Sequence, residues 1–442
     1  MELIDKIKEA GIIGAGGAGF PTHAKLASKA EYILLNGAEC EPLLRVDQQL
    51  MEFHGKEIIG GLYLAGKAVG AKEAIIGIKT KHKKVIEILN KNIEELDLRG
   101  KVSVKPIPDV YPAGDEQVLV YELTGRIVPE TGIPIMVGCV VINSETALNI
   151  FNATQGQSVT MKYVTVAGDV PNPITVKVPV GTPIKSLLNM AGVTDFSVYS
   201  VIDGGPMMGP LLKDTEGYVT RKTKGLVVLE SEHPLIKKKE VTVKSAKMLN
   251  TSACEQCRLC TDLCPRHLLG HSTQPHKMVR AMGFDLVPDE EKTIAFTCCS
   301  CNLCEYFSCP AGIKPKMANT YYSGLLRDMG IKHKPKEEYK VRKNRDFRLI
   351  PSKRLMARLG ILKFEQPAPL QDGVAINPER VGISLRDFVG APAVAKVSKG
   401  DKVTEGQVIG ESPGDALGTK VHASIDGIVD SIEDDKIIIR RA

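Results

Sequence analysis

The sequence of 442 residues predicts a multidomain α/β protein: an α/β domain, a β-grasp module, a helical cysteine-rich domain and a C-terminal β sandwich or barrel. Three observations predict this class. At roughly 100–200 residues per domain, the length corresponds to two to four domains. Helix-spaced and strand-like apolar segments alternate in the first third of the chain. Nine of the 11 cysteines fall between Cys254 and Cys309.

Composition excludes several classes of protein. Hydrophobic residues make up 43% of the chain and are spread along it, so a dominantly disordered chain is excluded. The longest apolar run, residues 133–142, contains Pro134 and Gly138 and is far shorter than the ~20 residues of a membrane helix. We therefore expect no transmembrane segment and, without a signal-like N-terminus, a cytoplasmic protein. A net charge of +6 with 5% aromatics and no Trp argues against nucleic acid as a partner.

Residues 1–155 are predicted to form the α/β domain. Short buried strands are expected at residues 32–35 and 74–78, and residues 58–69 between them have helical spacing. A strand–helix–strand alternation predicts a largely parallel sheet.

A glycine loop and two acidic segments in this domain are candidates for a ligand pocket. Residues 14–19 read Gly-Ala-Gly-Gly-Ala-Gly, and such a loop lets backbone N–H groups approach a phosphate or a flat ring. No strand clearly precedes it, so the dinucleotide fingerprint is not matched and a flexible turn is the alternative. Residues 36–42 follow the first strand, and residues 111–116 precede a helix-like stretch. Acids at strand ends can face a ligand crevice or be merely solvated; beside the glycine loop they suggest a flavin and nicotinamide pocket.

Residues 156–232 are predicted to be a small β-grasp module. Two strand-like segments, residues 163–168 and 174–180, are joined by the turn-rich residues 169–173. A short helix is expected at residues 183–191.

Residues 240–330 hold two cysteine motifs typical of ferredoxins. The first has the spacing C-x2-C-x2-C-x3-C-P and the second C-x2-C-x2-C-x4-C-P. Because the fourth cysteine of each run usually reaches the other cluster, we assign one 4Fe–4S cluster to Cys254, Cys257, Cys260 and Cys309 and the other to Cys298, Cys301, Cys304 and Cys264. Cys299 stands beside Cys298, and spacing alone leaves either as the ligand. Zinc is the alternative metal, but zinc usually takes CxxC pairs separated by longer loops.

The remaining chain divides into a basic linker, residues 331–375, and a β domain, residues 376–442. Residues 332–348 contain eight Lys or Arg against three Asp or Glu, which indicates a solvated linker or, alternatively, a surface for an acidic partner. The last ~60 residues show short strand-like segments separated by regular Gly turns, as in a small β sandwich or barrel.

Four segments carry a resemblance to a known family: residues 14–25, 36–42, 114–116 and 140–146. They resemble the flavin subunit of respiratory complex I and, more closely, the RnfC/PduS family of NADH-oxidising flavin iron–sulfur proteins. The resemblance implies a Rossmann-like flavin-subunit fold, an SLBB β-grasp module, a two-cluster ferredoxin-like domain and a lipoyl-like barrel. RnfC carries that barrel at its N-terminus, so the C-terminal position here is closer to PduS-type cobalamin reductases.

The resemblance also implies roles for individual residues. Gly14, Gly16, Gly17 and Lys25 would line the FMN phosphate and ring, Asn36 and Glu39 would hold the isoalloxazine, and Asn143 the ribityl or phosphate end. Phe20 would stack on nicotinamide, and Glu41 and Glu116 would contact NADH. Gly114 and Asp115 complete the expected cofactor-binding set. Ala15, Ile142 and Asp115 depart from the residues usual in the family.

The implied function is oxidation of NADH at FMN and transfer of single electrons through two 4Fe–4S clusters to an acceptor. The PduS-like interpretation makes the acceptor a corrinoid. The alternatives are an RnfC-like subunit of a membrane NADH:ferredoxin oxidoreductase, a flavin-free iron–sulfur adapter, or a non-redox zinc scaffold. The family also allows a protein acceptor, and docking to a membrane complex at the inner membrane face or to a microcompartment enzyme.

Overall fold

The structure, a computed structural model, describes residues 2–284, 287–371, 373, 376–433 and 435–442. The N-terminal domain contains, in chain order, α1 (Leu3–Glu9), α2 (Thr22–Leu26), β1 (Tyr32–Gly37), α3 (Val46–Phe53), α4 (Gly55–Val69), β2 (Glu73–Lys79), α5 (Lys83–Glu95), β3 (Val102–Ile107), β4 (Val110–Tyr111), α6 (Glu116–Thr124), β5 (Cys139–Asn143) and α7 (Ser144–Thr154). A 3-10 turn covers Pro134–Val137.

A four-stranded parallel sheet in the order β3-β2-β1-β5 forms the centre of this domain, as the alternation of elements predicts. Ile33, Leu34 and Leu35 of β1 are fully buried because helices cover both faces of the sheet. Ile33 and Leu35 pack into one core cluster and Leu34 into another. Asn36 of β1 lies opposite Asn143 of β5, so both side chains are placed at the carboxyl edge of the sheet.

The next domain has the predicted strand–turn–strand–helix order. Its elements are β6 (Met161–Gly168), β7 (Ile174–Pro179), α8 (Ile184–Met190), β8 (Tyr199–Asp203) and β9 (Gly225–Glu230). β6 pairs antiparallel with β7 and parallel with β9, which is the arrangement of a β-grasp fold. α8 packs on the sheet through Leu187 and Leu188, both fully buried.

The cysteine-rich domain is built from short helices. They are α9 (Pro234–Lys239), α10 (Val243–Ala253), α11 (Leu259–Asp262), α12 (Pro265–Leu268), α13 (Pro275–Phe284), α14 (Asp289–Lys292) and α15 (Pro315–Asp328). A 3-10 segment covers Thr293–Thr297 and a π-helical turn Cys304–Ser308. Met278 and Met282 of α13 pack against Ala318 and Tyr322 of α15. No helix in the described residues is long and apolar enough to cross a membrane.

The segment expected as a basic linker makes specific contacts with the preceding domains. It contains β10 (Ile350–Pro351), α16 (Ser352–Leu359), a 3-10 turn at Leu362–Phe364 and β11 (Leu370–Gln371). β10 pairs with β4, and β11 extends the β-grasp sheet beside β7. Arg345 is 5% exposed, forms an ion pair with Glu122 and lies over the Tyr121 ring. These contacts hold the segment against the N-terminal and β-grasp domains.

The C-terminal domain is a β sandwich, as the regular glycine turns predict. Its strands are β12 (Arg380–Ser384), β13 (Val394–Ala395), β14 (Lys402–Val403), β15 (Val408–Glu411), β16 (Lys420–His422), β17 (Gly427–Glu433) and β18 (Lys436–Arg441). They form sheets in the orders β12-β18-β17-β14 and β13-β15-β16. Val381, Ile409, Val421 and Ile437 are buried in the core that these strands share.

One buried arginine joins this sandwich to the two other folded units beside it. Arg221, from the β-grasp domain, donates through Nε and Nη2 to the carboxylate of Asp387 in the sandwich, at 3.1 and 2.5 Å. Its Nη1 donates to the carbonyls of Gly11 and Lys420, at 2.9 and 3.0 Å. The Val389 N–H also donates to the carbonyl of Gly19, at 2.9 Å. The sandwich is therefore fixed against the end of the glycine loop.

Candidate functional site

A cavity of about 350 Å³ lies at the carboxyl edge of the parallel sheet, where ligands bind in open α/β folds. Eleven of the 12 residues expected to bind cofactor line it: Gly14, Gly16, Phe20, Lys25, Asn36, Glu39, Glu41, Gly114, Asp115, Glu116 and Asn143. Gly17 is not part of the lining. The β-grasp domain contributes Met208 and Lys224, and the cysteine-rich domain contributes Cys299 and Cys301. Three domains thus enclose one site.

Asn36 and Gly114 form one wall through a tight backbone contact. The Asn36 Nδ2 donates to the Gly114 carbonyl at 2.9 Å, and the Gly114 N–H donates to Cys40 Sγ at 3.3 Å. A Cβ at position 114 would lie 2.9 Å from Cys40 Sγ and 3.3 Å from Asn36 Oδ1, so only glycine fits without a shift. Burial raises the pKa of Cys40 to about 11, so its thiol is neutral at pH 7.

Glu39 precedes α3, has its backbone in the left-handed region at φ 33°, and places its carboxylate at the first turn of that helix. Its carboxylate accepts the N–H groups of Asp47 and Gln48, at 3.0 and 3.3 Å. Burial, and then the neighbouring Asp47, raise the pKa of Glu39, while Lys224 opposes the rise. The carboxylate is therefore held in place by backbone groups at the edge of the cavity.

Glu41 is also held by backbone groups. Its two carboxylate oxygens accept the N–H groups of Met207 and Met208, at 2.8 and 3.0 Å. Burial raises the pKa of Glu41 in spite of these bonds. The residue thus fixes the turn after β8 to the N-terminal domain while one side of it lines the cavity.

Asp47 and Lys224 are site residues that sequence reasoning missed. Asn143 Nδ2 donates to Asp47 Oδ1 at 2.9 Å, and Lys224 forms an ion pair with the other carboxylate oxygen. Burial works against the charge on Lys224, but Asp47 and Glu39 raise its pKa, so the ammonium group stays charged. Lys224 comes from another domain, 177 positions away from Asp47 in sequence, and no local spacing could have signalled the pair.

The mouth of the cavity carries charged groups. Lys25 Nζ lies 3.2 Å from Glu116 Oε1, with side-chain exposures of 28% and 47%. Asp115 accepts the N–H groups of Gln117 and Val118 and so caps α6. Its other oxygen lies 2.8 Å from Arg266 Nη2, so this predicted cofactor residue links the cavity to the cysteine-rich domain.

The eight cysteines expected as ligands fall into two groups in space. Cys254, Cys257, Cys260 and Cys309 line one small hollow, and the Cys257 residue is exposed. Cys264, Cys301 and Cys304 are buried, and Cys298 and Cys299 lie with them. Burial first, then neighbouring Cys309, raise the pKa of Cys260 to about 12. Such thiols ionise readily only when a cationic metal binds them. The described residues contain no preformed group of side chains placed to hold a metal ion, so the assignment of two cubanes rests on the cysteine spacing.

The two cysteine loops repeat the same backbone conformation. In the first loop Gln256 and Arg258 have positive φ, at 50° and 66°. In the second loop Ser300 and Asn302 do, at 57° and 59°. This register aligns Cys298 with Cys254, the first cysteine of the other loop, and leaves Cys299 opposite Glu255.

The second cysteine loop also forms a wall of the cavity. Tyr111 donates its hydroxyl hydrogen to the Cys301 carbonyl at 2.7 Å, and Asn302 Nδ2 donates to the Met207 carbonyl at 2.6 Å. Cys299 and Cys301 line the cavity directly. A ligand in the cavity would therefore be in contact with the loop that carries the inner cysteines.

Comparison with protein families gives four matches along the chain. They are the Nuo51 FMN-binding domain over residues 7–152, the SLBB domain over 163–211, a 4Fe-4S dicluster domain over 253–314 and the RnfC barrel sandwich hybrid domain over 370–441. The predicted fold class is confirmed for each of the four units. An FMN-binding domain and an iron–sulfur domain are thus both present, and the iron–sulfur match disfavours the zinc scaffold.

Curated relatives match over the full chain. The cobalamin reductase PduS of Salmonella typhimurium is 40% identical over 446 residues, covering 100% of this chain and 96% of the relative. The PduS protein of Citrobacter freundii is 40% identical, covering 99% and 96%. One component of the Na⁺-translocating ferredoxin:NAD⁺ oxidoreductase complex of Acetobacterium woodii is 36% identical, covering 59% and 57%.

Among solved structures, an NAD⁺-reducing NiFe-hydrogenase in the H2-reduced state is 20% identical, with a TM-score of 0.49, covering 77% of this chain and 69% of that chain.

The curated relatives confirm the family that the sequence predicts. With 40% identity over nearly the whole length of both proteins, the chain belongs to the PduS family of cobalamin reductases.

Proposed function

We propose that the chain is an NADH-dependent flavin iron–sulfur oxidoreductase that passes single electrons to a corrinoid. The observation that carries this proposal is the shared wall: Cys299 and Cys301 line the same cavity as the glycine loop and Asn36. Electron transfer between two cofactors needs close approach, and a flavin in this cavity would lie against the loop that carries the inner cysteines.

The cavity is within the size range of cofactor sites, and the polar groups that face it suit FMN. FMN accepts two electrons from a hydride donor and can release them one at a time. Asn36 and the Asp47–Asn143–Lys224 network present fixed donors to a flavin, and the glycine loop lets the backbone approach it. Their mutual hydrogen bonds orient these side chains before the ligand binds. Phe20, Lys25 and Glu116 at the mouth are where the nicotinamide nucleotide would enter.

Two 4Fe–4S clusters would have different positions relative to the flavin. The inner cluster would use Cys264, Cys298, Cys301 and Cys304, with Cys298 chosen over Cys299 because the backbone register aligns it with Cys254. The outer cluster would use Cys254, Cys257, Cys260 and Cys309 around the exposed hollow. This order makes the inner group the first acceptor of electrons and the outer group the exit.

A corrinoid is the acceptor that the family favours, because the two PduS relatives are named cobalamin reductases and match over the full chain. The second candidate is an RnfC-like electron-transfer subunit, which the barrel domain and the Acetobacterium woodii relative favour. That relative matches only 59% of this chain, so it carries less weight.

Anaerobically purified protein tests the proposal directly. We expect bound flavin, about eight iron atoms per chain, bleaching of the flavin band by NADH, and NADH-driven reduction of cob(III)alamin. Asn36→Ala should lower flavin content, whereas Glu52→Gln, which removes an exposed ion pair with Lys84, should not. Flavin that is bound but not bleached by NADH would refute NADH as donor. Reduction of ferredoxin in place of cobalamin would favour the RnfC-like candidate.

A further inference from the structure

A second cavity, a groove of about 600 Å³, is used by none of the functions above. It lies between the cysteine-rich domain and α16. Leu259, Leu263, Phe307 and Ile350 supply apolar surface to its lining. Its size is within the range of small-molecule sites.

Three arginines surround this groove, and no acidic side chain in the described part of the chain lines it. Arg354 and Arg358 are exposed and lie one turn apart on α16, where like charges are mutually unfavourable. Arg348 faces them from the segment before β10. Among the described residues none of the three forms an ion pair with a carboxylate, and Arg354 instead lies over the Phe307 ring at 5.7 Å. An anionic ligand would relieve this repulsion.

The groove is also adjacent to the cysteines of both groups. Three of its lining residues, Leu259, Leu263 and Ser308, immediately precede Cys260, Cys264 and Cys309 in sequence. The flavin cavity, by contrast, meets the cysteine loops at Cys299 and Cys301. A ligand in the groove would therefore contact the cysteine-rich domain through residues that do not line the flavin cavity.

We propose that this groove is the acceptor site and that it binds a corrinoid through its phosphodiester. The apolar side would contact the corrin macrocycle, and Arg354 and Arg358 would bind the phosphate. A cluster held by the neighbouring cysteines would supply one electron to cobalt, which would take Co(III) to Co(II); the axial hydroxide or water of the corrinoid would leave to solvent, and no bond to the chain would form or break. The inference rests on the proposed function, because it names the place where that function's acceptor binds.

Equilibrium dialysis of the oxidised, cofactor-loaded protein against hydroxocobalamin tests the site without turnover. The comparison ligand is cobinamide, which has the corrin ring but lacks the phosphodiester nucleotide arm. The Arg354→Ala/Arg358→Ala double variant should weaken cobalamin binding by about tenfold or more, since each lost contact is a charge-assisted hydrogen bond. Cobinamide binding should change by less than about twofold. Lys353→Ala, an exposed cation on the same helix outside the groove, is the matched control.

Iron content, urea midpoint and NADH bleaching of the flavin should be unchanged in all variants, which excludes misfolding as the cause of weaker binding. Cobalamin binding by the double variant equal to that of the wild type would overturn the proposal. An equal loss in Lys353→Ala would also overturn it, since the effect would then be general charge. Arginine-dependent reduction of an acidic protein, with no cobalamin bound, would make the groove a protein-docking site and refute the corrinoid. If cobalamin binds as expected but NADH never reduces it, the groove is supported and the proposed function fails.

Discussion

Replacing Arg221 by Met should weaken the attachment of the C-terminal sandwich to the glycine loop. The guanidinium is 4% exposed and its partner carboxylate on Asp387 2% exposed. The substitution keeps much of the side-chain volume but removes the donors to Asp387, to Gly11 and to Lys420. It leaves a buried carboxylate and two carbonyl groups without these partners.

The expected loss of unfolding free energy depends on the hydrogen bonds that Asp387 keeps without the guanidinium. Breaking a buried ion pair by removing one partner costs about 3–5 kcal/mol. Asp387 keeps one bond, because it also accepts the backbone N–H of residue 221 at 2.9 Å. We therefore expect a loss of about 3–4 kcal/mol in the free energy of unfolding of the step that detaches the sandwich.

Urea unfolding of four proteins measures this loss: the wild type, Arg221→Met, Asp387→Leu and the double variant. A chain of several domains need not unfold in one step, so the first transition is the quantity to compare. The loss of unfolding free energy in the double variant should be smaller than the sum of the two single losses, by about 2 kcal/mol or more, because the double variant leaves no unpaired buried charge. Lys396→Met, which removes an exposed cation 4.0 Å from Glu411, is the control and should change stability by less than about 1 kcal/mol. A loss below about 1 kcal/mol for Arg221→Met, or additive single losses, would refute the reasoning.

Three further outcomes are expected. Cys298→Ser should lower iron content by about half and remove one cluster signal in electron paramagnetic resonance, whereas Cys299→Ser should keep both; the reverse result would make Cys299 the ligand. Gly114→Ala should weaken flavin binding, measured by fluorescence titration, and cost about 1–3 kcal/mol in stability, because the added Cβ would lie 2.9 Å from Cys40 Sγ. The double variant Gly114→Ala/Cys40→Ala should bind flavin as the wild type does. Unchanged flavin affinity in Gly114→Ala alone would show that this contact does not limit the cavity. Burial, and then Arg221, lower the pKa of His422 to about 4. As pH falls below about 6.5 the unfolded chain binds a proton at this residue before the folded chain does, so up to about 3 kcal/mol of stability should be lost by pH 4. Urea midpoints measured across pH should decline less steeply for His422→Gln than for the wild type, and superimposable profiles would exclude this contribution.

The parallel sheet and part of the site could be predicted because local patterns determine them. The run at Ile33–Leu35 is continuously apolar because both faces of β1 are covered, and Asn36 follows it at the carboxyl edge. Lys224 could not be predicted, since it reaches Asp47 across a domain interface. The two-residue pairing of β10 with β4 carries no periodic signal either.

The groove depends on the same kind of long-range contact. Residues 331–375 are expected to form a basic linker, yet Leu355, Met356 and Leu359 of α16 within them are buried against residues of the N-terminal and β-grasp domains. The apolar positions of α16 are helix-spaced, but only the fold determines what they pack against. The arginines on the opposite side of that helix are positioned as a consequence.

Because the sandwich is attached to the N-terminal domain, it could stand at either end of the sequence and keep the same position in space. Lys420 forms an ion pair of 2.6 Å with Glu9, 411 positions away, and the carbonyls of Gly11 and Lys420 share one arginine. The last domain of the chain is thus a spatial neighbour of the first helix. A circularly permuted gene, cut in the segment before β12 and joined from β18 to α1, would keep every one of these contacts. The N-terminal barrel expected in RnfC and the C-terminal barrel here would then differ only in where the chain termini lie within the same arrangement of domains.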